Sequence, residues 1–321
     1  MTSSRQDGRD LTGDTAPVIA IISAPTNLGL KPPQPGAVPG TAKAPEALRE
    51  AGLHEELLSR GAVDWGAVLP GRFVDDDGRR AAGTVRNQGA IVYHARLLAR
   101  RIVEARTSGL VPLVLGGDCS LLIAAGMAAK VSGCGGLVHV DGHTDFRHPG
   151  NSDTYGSLAG EDLAAAVGLH LPELADIDGL GPYFESVATA HIGCRREDEH
   201  ITEVSDLIRL TIPAAKVILH GGARAAAQVI AVPEVERGFW LQVDVDVLDP
   251  EYMPAVDSPD PGGLSPDELI ALLQGLAPRA WGASVTVFDP DLDPEGAYAE
   301  TVARIIEDGL GGLGSDAVSN G

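Results

Sequence analysis

Apolar positions along this chain fall into two rhythms. Short, unbroken, β-branched runs predict strands at 18–23 (VIAIIS), 62–68, 111–116, 137–141, 189–194, 216–220 (KVILH), 239–245 and 283–289. Between them, Ala- and Leu-rich stretches of helical period predict helices over 44–58, 86–107, 121–131, 158–167, 199–209, 222–230, 266–276 and 297–308. A strand that is apolar on both faces is a strand covered on both faces. The alternation of such strands with helices therefore predicts an α/β fold with a mainly parallel sheet and helices on both sides. No internal repeat is present, and no long Pro, Ser or Gly linker divides the pattern, so residues 17–310 read as a single domain. The polar residues 1–16 and the Gly-rich residues 311–321 are expected to be tails without fixed structure.

Composition changes that picture little. The 321 residues are 44% hydrophobic and 21% charged, enough for a sizeable core. Charge says more. A net −21 and a pI near 4.7 repel phosphate backbones and anionic lipid, which argues against nucleic-acid and membrane partners and leaves a cationic small molecule allowed. Cys119, Cys134 and Cys194 are widely spaced and form neither a disulfide framework nor a CxxC pair, as expected in a reducing cytoplasm. The first residues lack the apolar core of a signal peptide, and no run approaches a membrane span.

In an open parallel sheet, ligands collect beyond the carboxyl ends of the strands. Three predicted strand ends carry chemistry there. The first is VLGGDCS (114–120), with Cys119 after a tight glycine turn. The second is GLVHVDGHTDF (136–146), where Asp141, His143 and Asp145 alternate and can point to one side. The third is LQVDVDVLDP (241–250), where Asp244 and Asp246 alternate. Several carboxylates drawn together in low dielectric repel one another unless a cation joins them. Cys119, Asp141, His143, Asp145, Asp244 and Asp246 together suit a pair of divalent ions, which lower the pKa of a shared water. Read singly, each Asp is as well explained as a turn or helix cap. His139 is assigned to the opposite side of its strand, as a satisfied core histidine.

Taken in order, GGDxS, DxHxD, DVDxLDP and GGLS, preceded by GTAKAPEALREAGL (40–53), resemble the ureohydrolase (arginase/agmatinase) superfamily over residues 17–310. The resemblance implies a three-layer α/β/α domain with an eight-stranded parallel sheet, a dinuclear manganese site, a small-molecule substrate and, in many members, a homo-oligomer. It further implies a first ion on Cys119, Asp141, Asp145 and Asp244, and a second on His143, Asp246 and the bridging Asp141 and Asp244. Asp145 would also accept a hydrogen bond from a metal-bridging hydroxide that attacks a nitrogen-bearing carbon.

Three departures and one match qualify this. Cys119 stands where the family has His; it is either a soft ligand that shifts the first position toward zinc or iron, or a small buried hydrophobe beside a single ion. Ala159 stands where arginases place a His, which leaves His148 either as the replacement proton shuttle or as a solvated loop residue. Val287 stands where a guanidinium-binding Glu is expected; Asp289 or Asp291 either receives the cationic group or belongs to a Pro-rich turn. Asp198 aligns with an acidic residue that contacts the substrate, and equally reads as a charge at a helix N-terminus. Two functions follow. One is a metal-dependent hydrolase of a non-peptide C–N bond in a linear amidine or guanidine other than ordinary arginine. The other is a non-catalytic metal- or ligand-binding relative.

Overall fold

The apolar runs become one eight-stranded, wholly parallel sheet in a computed structural model, which describes residues 17–317. Residues 1–16 and 318–321, where tails are expected, lie outside the described residues. The strands are β1 (Ile19–Ala24), β2 (Val63–Ala67), β3 (Val111–Gly116), β4 (Gly136–Val140), β5 (Thr189–Ile192), β6 (Leu210–Ile212), β7 (Phe239–Asp244) and β8 (Ala280–Thr286). Across the sheet they run β2-β1-β3-β8-β7-β4-β5-β6.

The helices are α1 (Ala44–Glu50), α2 (Leu53–Ser59), α3 (Gln88–Thr107), α4 (Leu121–Ser132), α5 (Asp162–Ala166), α6 (Pro172–Ala175), α7 (Ile201–Leu207), α8 (Ala214–His220), α9 (Gly222–Ile230), α10 (Pro233–Glu236), α11 (Pro266–Leu276) and α12 (Ala297–Gly309). Two buried clusters put them on opposite faces. One joins α1, α2, α8, α9, α11 and α12 to Ile21, Leu113, Val138, Val140 and Val243; the other joins α3, α4, α5 and α6 to Ile22, Val114, Leu137 and Trp240. This is the three-layer α/β/α arrangement expected.

Three expectations need correction. The run KVILH (216–220) lies in α8, not in a strand. Only Val217 of that run is buried, while Leu219 is 74% exposed, so one helical stripe meets the core and a short apolar run alone does not tell helix from strand. The strand at that place is the three-residue edge strand β6, too short to show a pattern. The single helix expected over 44–58 is two, broken at Gly52, whose φ is 89°. Finally, 311–317 is not loose: Leu313 is buried, and the amides of Gly314 and Asp316 donate to the carbonyls of Ala277 and Pro278.

Candidate metal centre

Neighbouring strands β4 and β7 end in the same local device. Asp141 Oδ1 accepts the backbone N–H of His143 at 2.7 Å, and Asp244 Oδ1 accepts that of Asp246 at 2.9 Å. Each Asp thus bends its own chain two residues on with one oxygen; the other oxygen of Asp141 is left unpaired, and that of Asp244 accepts from Cys119. The register Val140↔Val243 sets these turns side by side. The loops then lock together, because Asp246 Oδ1 accepts the Gly142 amide at 2.9 Å and its Oδ2 lies 2.8 Å from His143 Nδ1. A Cβ at Gly142 would come within 2.6 Å of Arg195 Nη1 and the Asp246 carbonyl oxygen. Arg195 is buried there and donates to the carbonyls of Asp246, Leu248 and Asp260, which pins the loop after β7. Asp145 sits at φ 46°, a conformation that costs a non-glycine residue about 1 kcal/mol or more and recurs where a site dictates the backbone.

All six residues expected to bind metal fall into three groups: Cys119, Asp141 and Asp244; Asp141, His143 and Asp246; and Asp141 and Asp145 with His139. Ligand atoms lie within 4.8 Å of one another in each group, and Asp141 is common to all three. Burial, first of all, pushes the carboxyls of Asp141, Asp145 and Asp244 well above their usual range; neighbouring carboxylates push them further. Burial raises Asp162 in the same way. Burial also works against a charged His143, but Asp246 outweighs it and the ring is pushed up to about 11. Burial opposes the Asp246 anion too, yet His143 holds its carboxyl below the usual range. One imidazolium against this many carboxylates leaves the cluster to take up protons or a multivalent cation. The Oδ2 of Asp141 is buried with no hydrogen-bond partner, as are both carboxylate oxygens of Asp162. Oxygen-rich donors of this kind fit a divalent ion.

Cys119 is fully enclosed. Its Sγ donates to Asp244 Oδ2 at 2.5 Å and lies 3.5 Å from Thr286 Oγ1. Burial, reinforced by Asp244, pushes this thiol far up. The assignment of His139 to the far side of its strand is wrong. Residues 139 and 141 are two apart and share a face. His139 Nε2 stands 3.6 Å from Asp141 Oδ2 and 3.5 Å from Asp162 Oδ1. It belongs to a buried polar row one pleat beneath the carboxylates: His191, His139, Gln242 and Ser284 are register neighbours on β5, β4, β7 and β8. His139 Nδ1 meets His191 Nδ1 at 2.9 Å, Ser284 bonds Gln242, and Trp240 Nε1 donates to Ser284 at 2.8 Å. Burial pulls both histidines down to about 3.

Above the carboxylates opens a cleft of about 320 Å³. Its walls carry Glu197, Asp198, Glu199, Asp257 and Asp260, against Arg147 and His200. Arg147 is already tied to Glu199 at 2.5 Å. Asp198 faces the cleft as expected, while its oxygens accept from the Thr144 amide and hydroxyl and from the His200 amide. Ala159 lines the cleft where a His was looked for. Val287 does not line it; it is 1% exposed and packed in the core.

Two of the expected site residues lie away from the cleft. His148 does not line the cleft: its Nδ1 accepts the Gly150 amide and its Nε2 lies 3.1 Å from Glu203, so both ring nitrogens serve the loop. Asp289 does not line it either: its carboxylate accepts the amides of Gly40 and Asp291 and caps the turn that follows. Asp291 pairs with Lys43 at the surface. Sequence reasoning missed His200 and Asp162. His200 follows a strand end by several residues with no motif around it, and Asp162 opens a helix, where an Asp ordinarily reads as a helix-start residue.

The model of the arginase family matches residues 18–311. An arginase from Brevibacillus brevis is 28% identical over 91% of this chain and 97% of its own. A formimidoylglutamase from Halobacterium salinarum is 31% identical over 87% and 85%. The crystal structure of the arginase from Bacillus caldovelox superposes with a TM-score of 0.81 at 27% identity, covering 92% of this chain and 98% of the other.

Proposed function

The chain belongs to the arginase family and is an amidinohydrolase by descent, and from that premise we propose that it cleaves a non-peptide C–N bond in a small, cationic amidine or guanidine other than free arginine. The observation that carries this reading is the placement of Asp141 in all three donor groups at the floor of an acidic cleft.

Asp141, His143, Asp244 and Asp246 would hold an outer divalent ion, and Asp141, Asp145 and Asp244, beside Cys119, an inner one. The oxygen-rich set favours manganese. When bound, such a pair supplies a water acidic enough to react near neutral pH. The chain's own residues do the rest. Asp145, held at positive φ over the cluster, accepts the proton of the attacking water at its carboxylate. Asp198 and the other wall carboxylates attract and orient the positive end of the substrate. His200 is the imidazole on the cleft wall that can carry a proton to the departing nitrogen, with its Nε2 3.2 Å from Glu199. A small substrate rather than a polymer fits the cleft volume, and phosphate-bearing partners are disfavoured by its charge.

The disfavouring of arginine rests on position 287: where the resemblance expects a guanidinium-binding Glu, Val287 is uncharged and packed in the core off the cleft, so that position offers a desolvated guanidinium no counter-ion, which costs several kcal/mol. The test offers the manganese-loaded chain a panel of cationic guanidines and amidines and follows urea, ammonia or formamide. Turnover of a compound other than arginine is expected, with kcat/KM for arginine lower by about a hundredfold or more. Efficient arginine hydrolysis overturns the substrate assignment. A loaded protein that hydrolyses nothing in the panel is a binding protein instead.

A further inference from the structure

The buried row beneath the carboxylates holds a nitrogen that nothing in the reaction scheme uses. His139 Nε2 is fully enclosed, faces Asp141 and Asp162 at 3.6 and 3.5 Å, and has no hydrogen-bond partner. The atoms it faces are themselves unsatisfied: Asp141 Oδ2 and both oxygens of Asp162. An unpaired polar atom in a protein interior is costly, and here four cluster at one point. The other ring nitrogen, Nδ1, is anchored on His191 at 2.9 Å. One nitrogen fixed by a neighbour and the other left open toward carboxylates is how proteins orient a metal-binding imidazole.

The thiol above it is in the opposite condition. Cys119 Sγ has partners in Asp244 and Thr286. A thiol is also a poor donor for a hard or borderline-hard ion, whereas imidazole with carboxylate oxygens is a good set. His139, Asp141 and Asp145 present ligand atoms within 4.8 Å of one another.

We propose that His139 supplies the nitrogen donor of the inner ion through Nε2, together with Asp141 and Asp145, so that the imidazole absent at position 119 is delivered from two residues before the DxHxD motif. Asp162, at the start of α5, adds negative charge beside it, and Cys119 is packing and hydrogen-bond donor to Asp244, not a ligand. This assignment rests on the two-ion reading of the cluster.

The test uses the full chain, stripped and reloaded. Wild-type protein loaded with Co²⁺ is expected to show no thiolate-to-cobalt charge-transfer band. In His139→Phe, manganese affinity at one position is expected to fall on the order of a hundredfold by equilibrium dialysis, with the melting temperature of the metal-free protein retained. His139→Gln serves the same measurement if His139→Phe does not fold. A charge-transfer band in the wild type, or unchanged manganese affinity in the His139 variant, overturns the assignment alone. A wild type that retains no divalent ion overturns the two-ion reading and this assignment with it.

Discussion

At the floor of the cleft, Asp141, His143, Asp244 and Asp246 sit within three residues of two adjacent strand ends. On its walls, Asp198, His200 and Asp257 hang from the loops after β5 and β7. The floor is set by sheet register and by backbone amides that each Asp captures for itself. The walls are set by side-chain bonds between loops, such as Thr144 to Asp198. The difference separates two jobs. A rigid sheet edge fixes where the reacting water is held, and the loops decide which molecule meets it. It also explains why the family pattern survives at the floor while Ala159, on the wall, departs from it.

The largest effect should come from striking the floor. Asp141→Ala and Asp244→Ala each remove a shared oxygen, so bound metal measured by elemental analysis and activity are both expected to fall to background. Wild-type metal content in Asp244→Ala would erase the distinction between floor and wall. Next in size is the proton carrier. His200→Ala should lower kcat by roughly a hundredfold, the lower end for general acid catalysis, while His148→Ala should leave kcat nearly unchanged because its ring serves Gly150 and Glu203. Equal losses in the two variants would place the shuttle elsewhere.

Acidity gives a subtler contrast. Asp141, Asp145, Asp162 and Asp244 hold their protons more tightly in the folded chain than in the unfolded one. Their contribution to the stability of metal-free protein is therefore full below about pH 4 and is lost as pH rises through their raised folded values. Asp246, held low by His143 against its burial, works the other way, present above its unfolded value and lost in acid. With more carboxyls raised than lowered, the melting-temperature gain on adding manganese should grow from acid toward neutral pH. A gain that shrinks with rising pH would show the cluster to be indifferent to cations. The smallest effect belongs to Asp289. Asp289→Ala removes a turn cap and should cost about 1 kcal/mol in a denaturant melt without changing KM. A raised KM would return this residue to the wall.

The floor was legible in the sequence because its residues alternate along strands and the motif names them. The sheet was legible because buried, β-branched runs such as IAIISA recur between helical stretches along the chain. Legibility ended where position depends on tertiary contact. KVILH was misplaced because a five-residue apolar run fits either element until its neighbours are known. His148 and Asp289 are the nearest residues of suitable type in the sequence, but His148 is occupied by Gly150 and Glu203 and Asp289 by the amides of Gly40 and Asp291. His139 is a different failure. Its even spacing from Asp141 was there to be read, and strand parity alone would have put it on the ligand face.

Strand order also bears on how the molecule is made. β7 and β8 come last along the chain but lie in the middle of the sheet. Until residues 239–286 leave the ribosome, the nascent protein holds two separate leaves, β2-β1-β3 and β4-β5-β6, each with an open edge where the missing pair belongs. Open edges of parallel strands are sticky and slow to close. Synthesis therefore passes through an interval in which these edges stand unpaired. Only when β7 slips in beside β4 does Asp244 arrive next to Asp141. A ribosome stalled before that point releases a chain with half a floor, unable to capture the cation that would hold its halves together.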